Sequence, residues 1–327
     1  MMRHSLFAMC LLFSLALHSA HAQDLMLLAG GLKQQHGDEY TYAWSLDYQH
    51  RLGDHAALGL TYLNEGHLDN HHRDGIAAQI RTRATLQPGF QLGAGVGPYY
   101  YFDTTTAASP ADYRNEHGWG VLASLTATWH IQQRWFVQLR ANQTFVPARM
   151  NTSSAVLGVG YRLDDTPDPN AGSALWSPEG PVTGHELTLS AGRTIVNSFN
   201  SERSTAASLE YRRGLDRHLD WTLAWLDEGD AGLLRRQGLV AQLWLVKPLM
   251  NERLALGAGA GPYLAIDRDQ SESAHERNER LRLAALFTIA ARYRVSPDFL
   301  VRASWSRVLT DYHRDTDVLL IGAGYAF

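Results

Sequence analysis

A set of two carboxylates and one arginine occurs once in each half of the sequence. Its members are Glu65, Arg73 and Asp103 in the first half and Glu228, Arg236 and Asp267 in the second. Such a set can form an ion-pair network, hold a ligand or a cation, or take part in acid–base catalysis. No nucleophile accompanies it. We therefore prefer the ion-pair network, place ligand binding second, and assign no catalytic residue.

The segment GHLDNHHRD (66–74) is rich in side chains that can ligate zinc or another divalent ion. They are His67, Asp69, His71, His72 and Asp74. Their spacing is irregular, and the second half has Asp230, Leu233 and Leu234 near the matching places. We interpret the segment as a solvated outer loop and predict neither a metal site nor a cofactor.

The stretch LGAGVGPYYYFD (92–103) has the glycine content of a phosphate-binding loop and returns as LGAGAGPYLAID (256–267). Pro98 stands where a dinucleotide-binding fingerprint needs glycine or alanine, and a strand pattern follows it rather than a helix. Phosphate binding by this loop is therefore rejected. Pro98 cannot donate to a strand ladder, so we expect a bulge or a kink there.

Alternation of apolar and polar residues predicts the elements that position these side chains. In YAWSLDYQ (42–49) every second residue is apolar, which is the period of a strand with one apolar face. Similar patterns predict about eight strands between residues 24 and 163. Short turns alternate with longer polar loops centred on 34–40, 64–74, 103–117 and 146–152, which is typical of a transmembrane barrel.

Composition and the first residues restrict the class of protein. Residues 1–22 have the positive start, apolar run and small-residue end of a signal peptide, so we expect export. Cys10 is the only cysteine, which excludes disulfides and thiol chemistry from the mature chain. A net charge of −4 gives no indication of a nucleic-acid partner. No apolar run is long enough for a transmembrane helix.

A soluble β-sandwich or lipocalin-like barrel also alternates, but three features argue against it. Aromatic residues lie near strand ends on the outward apolar face, the opposite face is polar or glycine, and the chain closes with IGAGYAF, ending on Phe327. With the signal peptide, this pattern resembles the outer-membrane β-barrel proteins of Gram-negative bacteria. The fold class expected is all-β, a transmembrane antiparallel barrel.

That resemblance implies a location and partners. The chain would lie in the bacterial outer membrane, in contact with outer-membrane lipid and lipopolysaccharide. Its last strand, ending on Phe327, would be the signal read by the barrel-assembly machinery. A small solute is a candidate ligand, and no nucleic acid is expected.

Ordered matches between the two halves indicate a duplicated eight-strand unit. For example, LGVGYRL (157–163) corresponds to IGAGYAF (321–327). The predicted organisation is a signal peptide (1–22), a first barrel unit (23–163), a Pro- and Gly-rich linker (164–183) and a second unit (184–327). Sixteen strands could close as one wide barrel or as two tandem eight-stranded barrels. The linker favours the tandem barrels, and the single barrel stays open as the alternative.

Extending the strand pattern to the charged residues places Glu65, Arg73 and Asp103 inward near the outer rim, on adjacent strands. The function that follows is that of a non-catalytic pore, porin-like, or of a binding or structural protein in the membrane. The alternative is a lipid- or lipopolysaccharide-modifying hydrolase that uses a Ser–His pair at the rim. The candidate pairs for such a hydrolase are His117 with Ser124 and His313 with Ser306.

Overall fold

The computed structural model describes residues 23–163 and 182–327, apart from residues 36, 107–112, 132–133, 148, 200, 233, 251 and 270–279. Sixteen strands are formed by the described residues. The first eight are β1 (Gln23–Gln34), β2 (Tyr40–Arg51), β3 (Ala56–Leu68), β4 (His71–Gln87), β5 (Phe90–Thr105), β6 (Arg114–His130), β7 (Trp135–Phe145) and β8 (Thr152–Arg162). The second eight are β9 (Glu186–Val196), β10 (Arg203–Asp216), β11 (Leu219–Asp230), β12 (Leu234–Leu249), β13 (Leu254–Asp269), β14 (Arg280–Arg294), β15 (Phe299–Leu309) and β16 (Thr316–Ala326).

Strands β1–β8 form one closed antiparallel barrel in which each strand pairs with the next along the chain. The ring closes where β1 pairs with β8, from Asp24 opposite Arg162 to Gln34 opposite Thr152. Strands β9–β16 form a second closed barrel, which closes where β16 pairs with β9. The preference for two eight-stranded barrels over one sixteen-stranded barrel is confirmed.

Each barrel has one end with short turns and one with longer loops, called here the short-turn end and the long-loop end. In the first barrel, residues 52–55, 88–89 and 131–134 connect strands at the short-turn end, where β1 begins and β8 ends. The long-loop end contains residues 35–39 and 146–151. Within the part of the chain that the structure describes, no helix is long and apolar enough to cross a membrane.

The interior of each barrel is more apolar than the sequence pattern suggested. In the first barrel, Met26, Leu28, Leu63, Tyr99 and Leu122 are buried inside alongside charged and polar side chains. The physical reason is the width of an eight-stranded barrel, which side chains must fill as a packed core. Apolar layers therefore lie between charged layers, and the expectation of an inward face made only of polar residues and glycine was incomplete.

The segment 64–74 is a hairpin, and its interpretation as a long outer loop was wrong. Strand β3 continues to Leu68 and β4 begins at His71, so only residues 69 and 70 form the turn. The ladder shifts register between Asn64 and His67, and Gly66 lies there with a φ of 67°. A β-bulge with glycine in this conformation absorbs one extra residue, which breaks the alternation that would have revealed the strand.

Pro98 does not shift the register of β4 against β5. Ala77 lies opposite Tyr99 on one side of the proline and Ile80 opposite Val96 on the other, so the register is the same across it. The shift in this pair lies instead between Thr85 and Gln87. The prediction of a bulge at Pro98 was therefore wrong. Because the register is unchanged, the inward placement of Asp103 is not affected.

Two predicted segments cannot be compared with the structure. The signal peptide (1–22) and nearly all of the linker (164–181) lie outside the described residues. The domain boundaries drawn at these segments stay predictions.

Candidate functional site

A buried ion-pair network crosses the middle of the first barrel. Both terminal guanidinium nitrogens of Arg81 donate to the Asp47 carboxylate, Nη1 to Oδ1 at 2.7 Å and Nη2 to Oδ2 at 2.6 Å. From β7, Arg140 Nη1 donates to Asp47 Oδ2 at 2.7 Å, and Thr61 Oγ1 donates to the same oxygen at 2.5 Å. Since all four side chains are buried, this mid-barrel network of Asp47, Thr61, Arg81 and Arg140 fills the cross-section with paired charges.

The second barrel has a corresponding network around an indole ring. Glu210 Oε1 accepts from Arg302 Nη1 at 2.5 Å and from Arg212 Nη2 at 3.1 Å. The two guanidinium groups lie 4.3 Å (Arg212) and 4.9 Å (Arg302) from the Trp244 ring centre. Trp244 Nε1 donates to Thr222 at 2.9 Å. Cation–π contacts of this kind are strongest where water is excluded, and the ring and the two arginines pack together inside the second barrel.

The charged set predicted at the outer rim of the first barrel divides into two contacts. Arg73 Nε donates to Glu65 Oε2, and Arg73 Nη1 donates to the main-chain oxygen of Met150 at 2.6 Å. Asp103 lies opposite Arg73 in the ladder but contacts His71, with Nδ1 of the imidazole 3.1 Å from its carboxylate. Glu65, Arg73 and Asp103 are buried. Because Met150 belongs to a long loop, Arg73 joins that loop to the barrel wall.

In the second barrel, Glu228, Arg236 and Asp267 do come together. Arg236 binds Glu228 through two bonds, Nε to Oε1 at 2.6 Å and Nη2 to Oε2 at 2.9 Å. Its Nη1 lies 3.9 Å from Asp267 Oδ2 and donates to the Tyr312 hydroxyl and to the main-chain oxygen of Arg314, both at 3.1 Å. Burial raises the pKa of Tyr312, a loop residue, above its ordinary value. The hydroxyl therefore stays protonated and donates to Asp267.

The Ser–His pairs that a lipid hydrolase would need are not assembled. His117 and Ser124 lie seven positions apart on strand β6, which corresponds to roughly 23 Å at about 3.3 Å per residue and to opposite faces. Ser124 is buried inside against Gln79, whereas His117 contacts the Tyr100 and Phe102 rings. Ser306 bonds to Thr288 at 2.9 Å. Among the described residues, no hydrogen bond joins Ser306 to His313.

The histidines of the β3–β4 hairpin lie on two facing strands. His67 pairs with His72, with ring centres 4.2 Å apart, and Asn64 Nδ2 approaches His72 Nε2 at 3.4 Å. His71 faces Asp103 instead. Among the described residues, no three His, Cys, Asp or Glu side chains are arranged to hold a metal ion.

The outer surface of each barrel is a band of exposed aliphatic side chains. In the first barrel its centre comprises Leu27, Ile80, Val96, Leu125, Leu139 and Leu157, which are 45–69% exposed. Leu189, Leu209, Leu223, Leu243, Leu283 and Ile321 form the corresponding band in the second barrel. Leucine exposed around a whole circumference is unfavourable in water and is what a bilayer core requires.

Aromatic rings border these bands near the strand ends. At the short-turn end of the first barrel, Trp135 contacts Tyr161 and Phe90 contacts Trp129. Tyr100 and Trp119 pack together nearer the opposite end. Aromatic girdles at two levels mark the two interfaces of a bilayer. Each unit has the fold of an outer-membrane β-barrel.

Comparison with known structures finds several similar proteins, each with a TM-score below 0.5. The N-terminal β-barrel domain of Pseudomonas aeruginosa OprF is 13% identical, with a TM-score of 0.36 over 44% of this chain and 99% of that one. Ail, the attachment invasion locus protein of Yersinia pestis, is 8% identical, with a TM-score of 0.34 over 43% and 99%. The Pseudomonas putida toluene transporter TodX is 10% identical, with a TM-score of 0.25 over 96% and 91%. No family model and no curated protein matches the chain.

The mid-barrel networks are what inspection of the sequence missed. Strand alternation places Asp47, Arg81 and Arg140 on the inward faces of their strands, but it does not show that the three side chains meet. A usable signal was present: both halves carry an acidic residue in the second strand (Asp47, Glu210) and an arginine in the seventh (Arg140, Arg302). Inward charges of opposite sign at the same level of a narrow barrel are expected to pair.

Proposed function

We propose that the chain is a non-catalytic integral protein of the bacterial outer membrane whose two barrels are closed to solutes and serve a structural or binding role. The observation that carries this proposal is the mid-barrel network in each interior. Asp47, Arg81 and Arg140 occupy the first cross-section, and Glu210, Arg302 and Trp244 occupy the second. The interior of an eight-stranded barrel is filled by side chains or holds at most one small ligand, whereas porins with open channels need more strands.

The orientation follows from the two ends of each barrel. Short turns face the periplasm and longer loops face outward in bacterial barrels. Both Gln23 and Arg162, the outermost residues of β1 and β8, lie at the short-turn end, which is thus the periplasmic end. Outer-membrane lipid and lipopolysaccharide are the partners that the aliphatic bands support. The barrel-assembly machinery would read the final strand, which ends beside the exposed Phe327.

Conductance across a planar bilayer tests the closed-barrel proposal. The full chain, refolded in detergent and added to the bilayer, should produce no stepwise current. A triple variant, Asp47→Ser with Arg81→Ser and Arg140→Ser, removes the first network without leaving an unpaired charge and should produce small steps. The matched control replaces Glu116 and Arg149, an exposed pair, by serine and should stay silent. Stepwise current from the unchanged protein would overturn the proposal.

The hydrolase alternative makes a different prediction. Phospholipid or lipopolysaccharide incubated with the protein in detergent should stay intact, because neither Ser–His pair is assembled. Hydrolysis by the unchanged chain that disappears in a Ser306→Ala variant would favour the enzyme instead.

A further inference from the structure

The periplasmic mouth of the first barrel contains an excess of positive charge. Arg51, Arg83 and Arg162 lie there, and among the described residues Asp24 supplies the buried carboxylate. Arg51 and Arg83 alone carry two positive charges against the one negative charge of Asp24, which leaves an excess of one. The other carboxylate near Arg83 belongs to Asp54, which is exposed in the turn at 52–55 and is screened by solvent.

The available carboxylate is already shared. Arg51 approaches Asp24 Oδ2 through Nη2 at 2.9 Å and Nε at 3.0 Å, and Arg162 Nε lies 3.7 Å from Oδ1. Arg83 has no carboxylate partner among the described residues. It donates instead to main-chain oxygens of the turn, Nε to Asp54 at 2.8 Å and Nη2 to Gly53 at 2.5 Å. A half-buried guanidinium that is held in place beside two others is poised to bind an anion.

A small cavity adjoins these groups. Its volume is about 30 Å³, and its lining includes Arg51, Arg83, Gln91 and His130 together with Asp24, whose carboxylate is engaged by Arg51. A water molecule needs at least about 10–15 Å³ by the same measure, so the cavity holds roughly two waters. Guanidinium, amide and hydroxyl groups around such a volume suit a compact oxyanion that accepts several hydrogen bonds.

The second barrel differs at its own periplasmic mouth. Glu186 there binds Arg292 at 2.6 Å and Arg294 at 2.8 Å, and Arg292 Nη1 also lies 4.0 Å from Asp220 Oδ2. Val246 and Ala326 stand at the strand positions that correspond to Arg83 and Arg162. The second mouth therefore has no counterpart of these two arginines.

We propose that the periplasmic mouth of the first barrel is an anion site for a phosphate group, bound by Arg83 and Arg51 in the cavity lined by Gln91 and His130. Arg83 is pre-positioned by the turn carbonyls, and Arg51 is oriented by Asp24. The group is either free orthophosphate or the terminal phosphate of a larger periplasmic molecule. The proposal concerns the interior of the first barrel and does not depend on conductance.

Calorimetric titration of the full chain in detergent with orthophosphate tests the site, with chloride holding the ionic strength constant. We expect saturable binding, weakened about tenfold or more by Arg83→Gln, because a charge-assisted hydrogen bond to the anion is lost. The matched control Arg294→Gln alters an arginine of the second mouth and should leave binding unchanged. Absence of saturable binding, or equal loss in both variants, would overturn the proposal.

A second variant separates anion binding from folding. Gln91→Glu places a carboxylate in the cavity, so it should abolish phosphate binding and raise the Tm in phosphate-free buffer. Unchanged phosphate binding by this variant would contradict the proposed position. Glycerol 3-phosphate distinguishes the two sources: binding as tight as that of orthophosphate indicates a phosphate monoester, and binding of orthophosphate alone indicates the free ion. Both results support the site.

Discussion

Arg140 on β7 donates to Asp47 on β2 at 2.7 Å, across the interior of the first barrel and over 93 positions of sequence. Asp47 also holds Arg81, so one carboxylate stabilises two buried guanidinium groups. Charges removed from water need partners of opposite sign, and removing a shared partner is more costly than removing an exposed one. The first barrel thus depends on a single anionic side chain at its centre.

Replacing Asp47 by alanine should therefore destabilise the first barrel strongly. We expect the free energy of unfolding to fall by about 3–5 kcal/mol, because Arg81 and Arg140 stay buried without their counter-charge. Urea unfolding in detergent, followed by tryptophan fluorescence, measures it. Glu116→Ala, at an exposed ion pair, is the control and should cost at most about 1 kcal/mol. Equal effects of the two changes would show that the centre of the barrel is hydrated.

Glu65→Ala should also weaken the first barrel, by about 3 kcal/mol or more, since Arg73 is left buried and unpaired. Glu228→Ala should have an effect of similar size in the second barrel, where Arg236 loses both of its bonds to that carboxylate. Thermal unfolding of each variant in detergent is the measurement. Unchanged unfolding of the Glu65 variant would mean that this carboxylate is solvated.

Trp244→Ala should destabilise the second barrel by about 3–5 kcal/mol, the range found for large buried side chains. The indole is 1% exposed and lies between Arg212 and Arg302. Trp244→Phe keeps a ring between the guanidinium groups and should recover most of the loss. Equilibrium unfolding compares the two variants, and equal stability of both would show that ring packing contributes nothing there.

Gly97→Ala should impair the pairing of β4 with β5. A Cβ at this position would overlap the main-chain oxygen of Ala78, and overpacking of this kind costs about 1–3 kcal/mol. Gly31→Ala is the matched control, because its Cβ would meet only the oxygen of Thr41 at 3.9 Å. The yield of folded barrel and its Tm in detergent should fall for the first variant alone. A drop in both would point to backbone flexibility rather than contact.

Strand alternation and the internal repeat were sufficient to predict the eight-strand units and most inward positions. The β3–β4 hairpin was missed because the bulge at Gly66 shifts the pattern by one residue just where the histidines begin. At Pro98 the sequence predicts a bulge, but strand pairing continues past this residue in the same register. Local sequence rules describe these two positions poorly because the partner strand determines the outcome.

The partners inside the barrels could not be read from the sequence for a different reason. Alternation shows that Arg81 points inward, but which residue it meets depends on the tilt and stagger of the closed sheet. Asp47 lies 34 positions from Arg81 and 93 positions from Arg140 in the sequence. Asp267 and Asp103 each lie opposite an arginine in the ladder, yet Asp267 approaches Arg236 whereas Asp103 contacts His71.

Because β8 pairs with β1 and β16 with β9, neither half relies on the other for its hydrogen-bonded edges. A single ring would have tied the two halves to a common circumference, so that a change of strand length in one had to be matched in the other. Separate closure frees each copy after the duplication to diverge on its own. The arginine-rich mouth of one copy and the tryptophan-centred interior of the other are results of that independence.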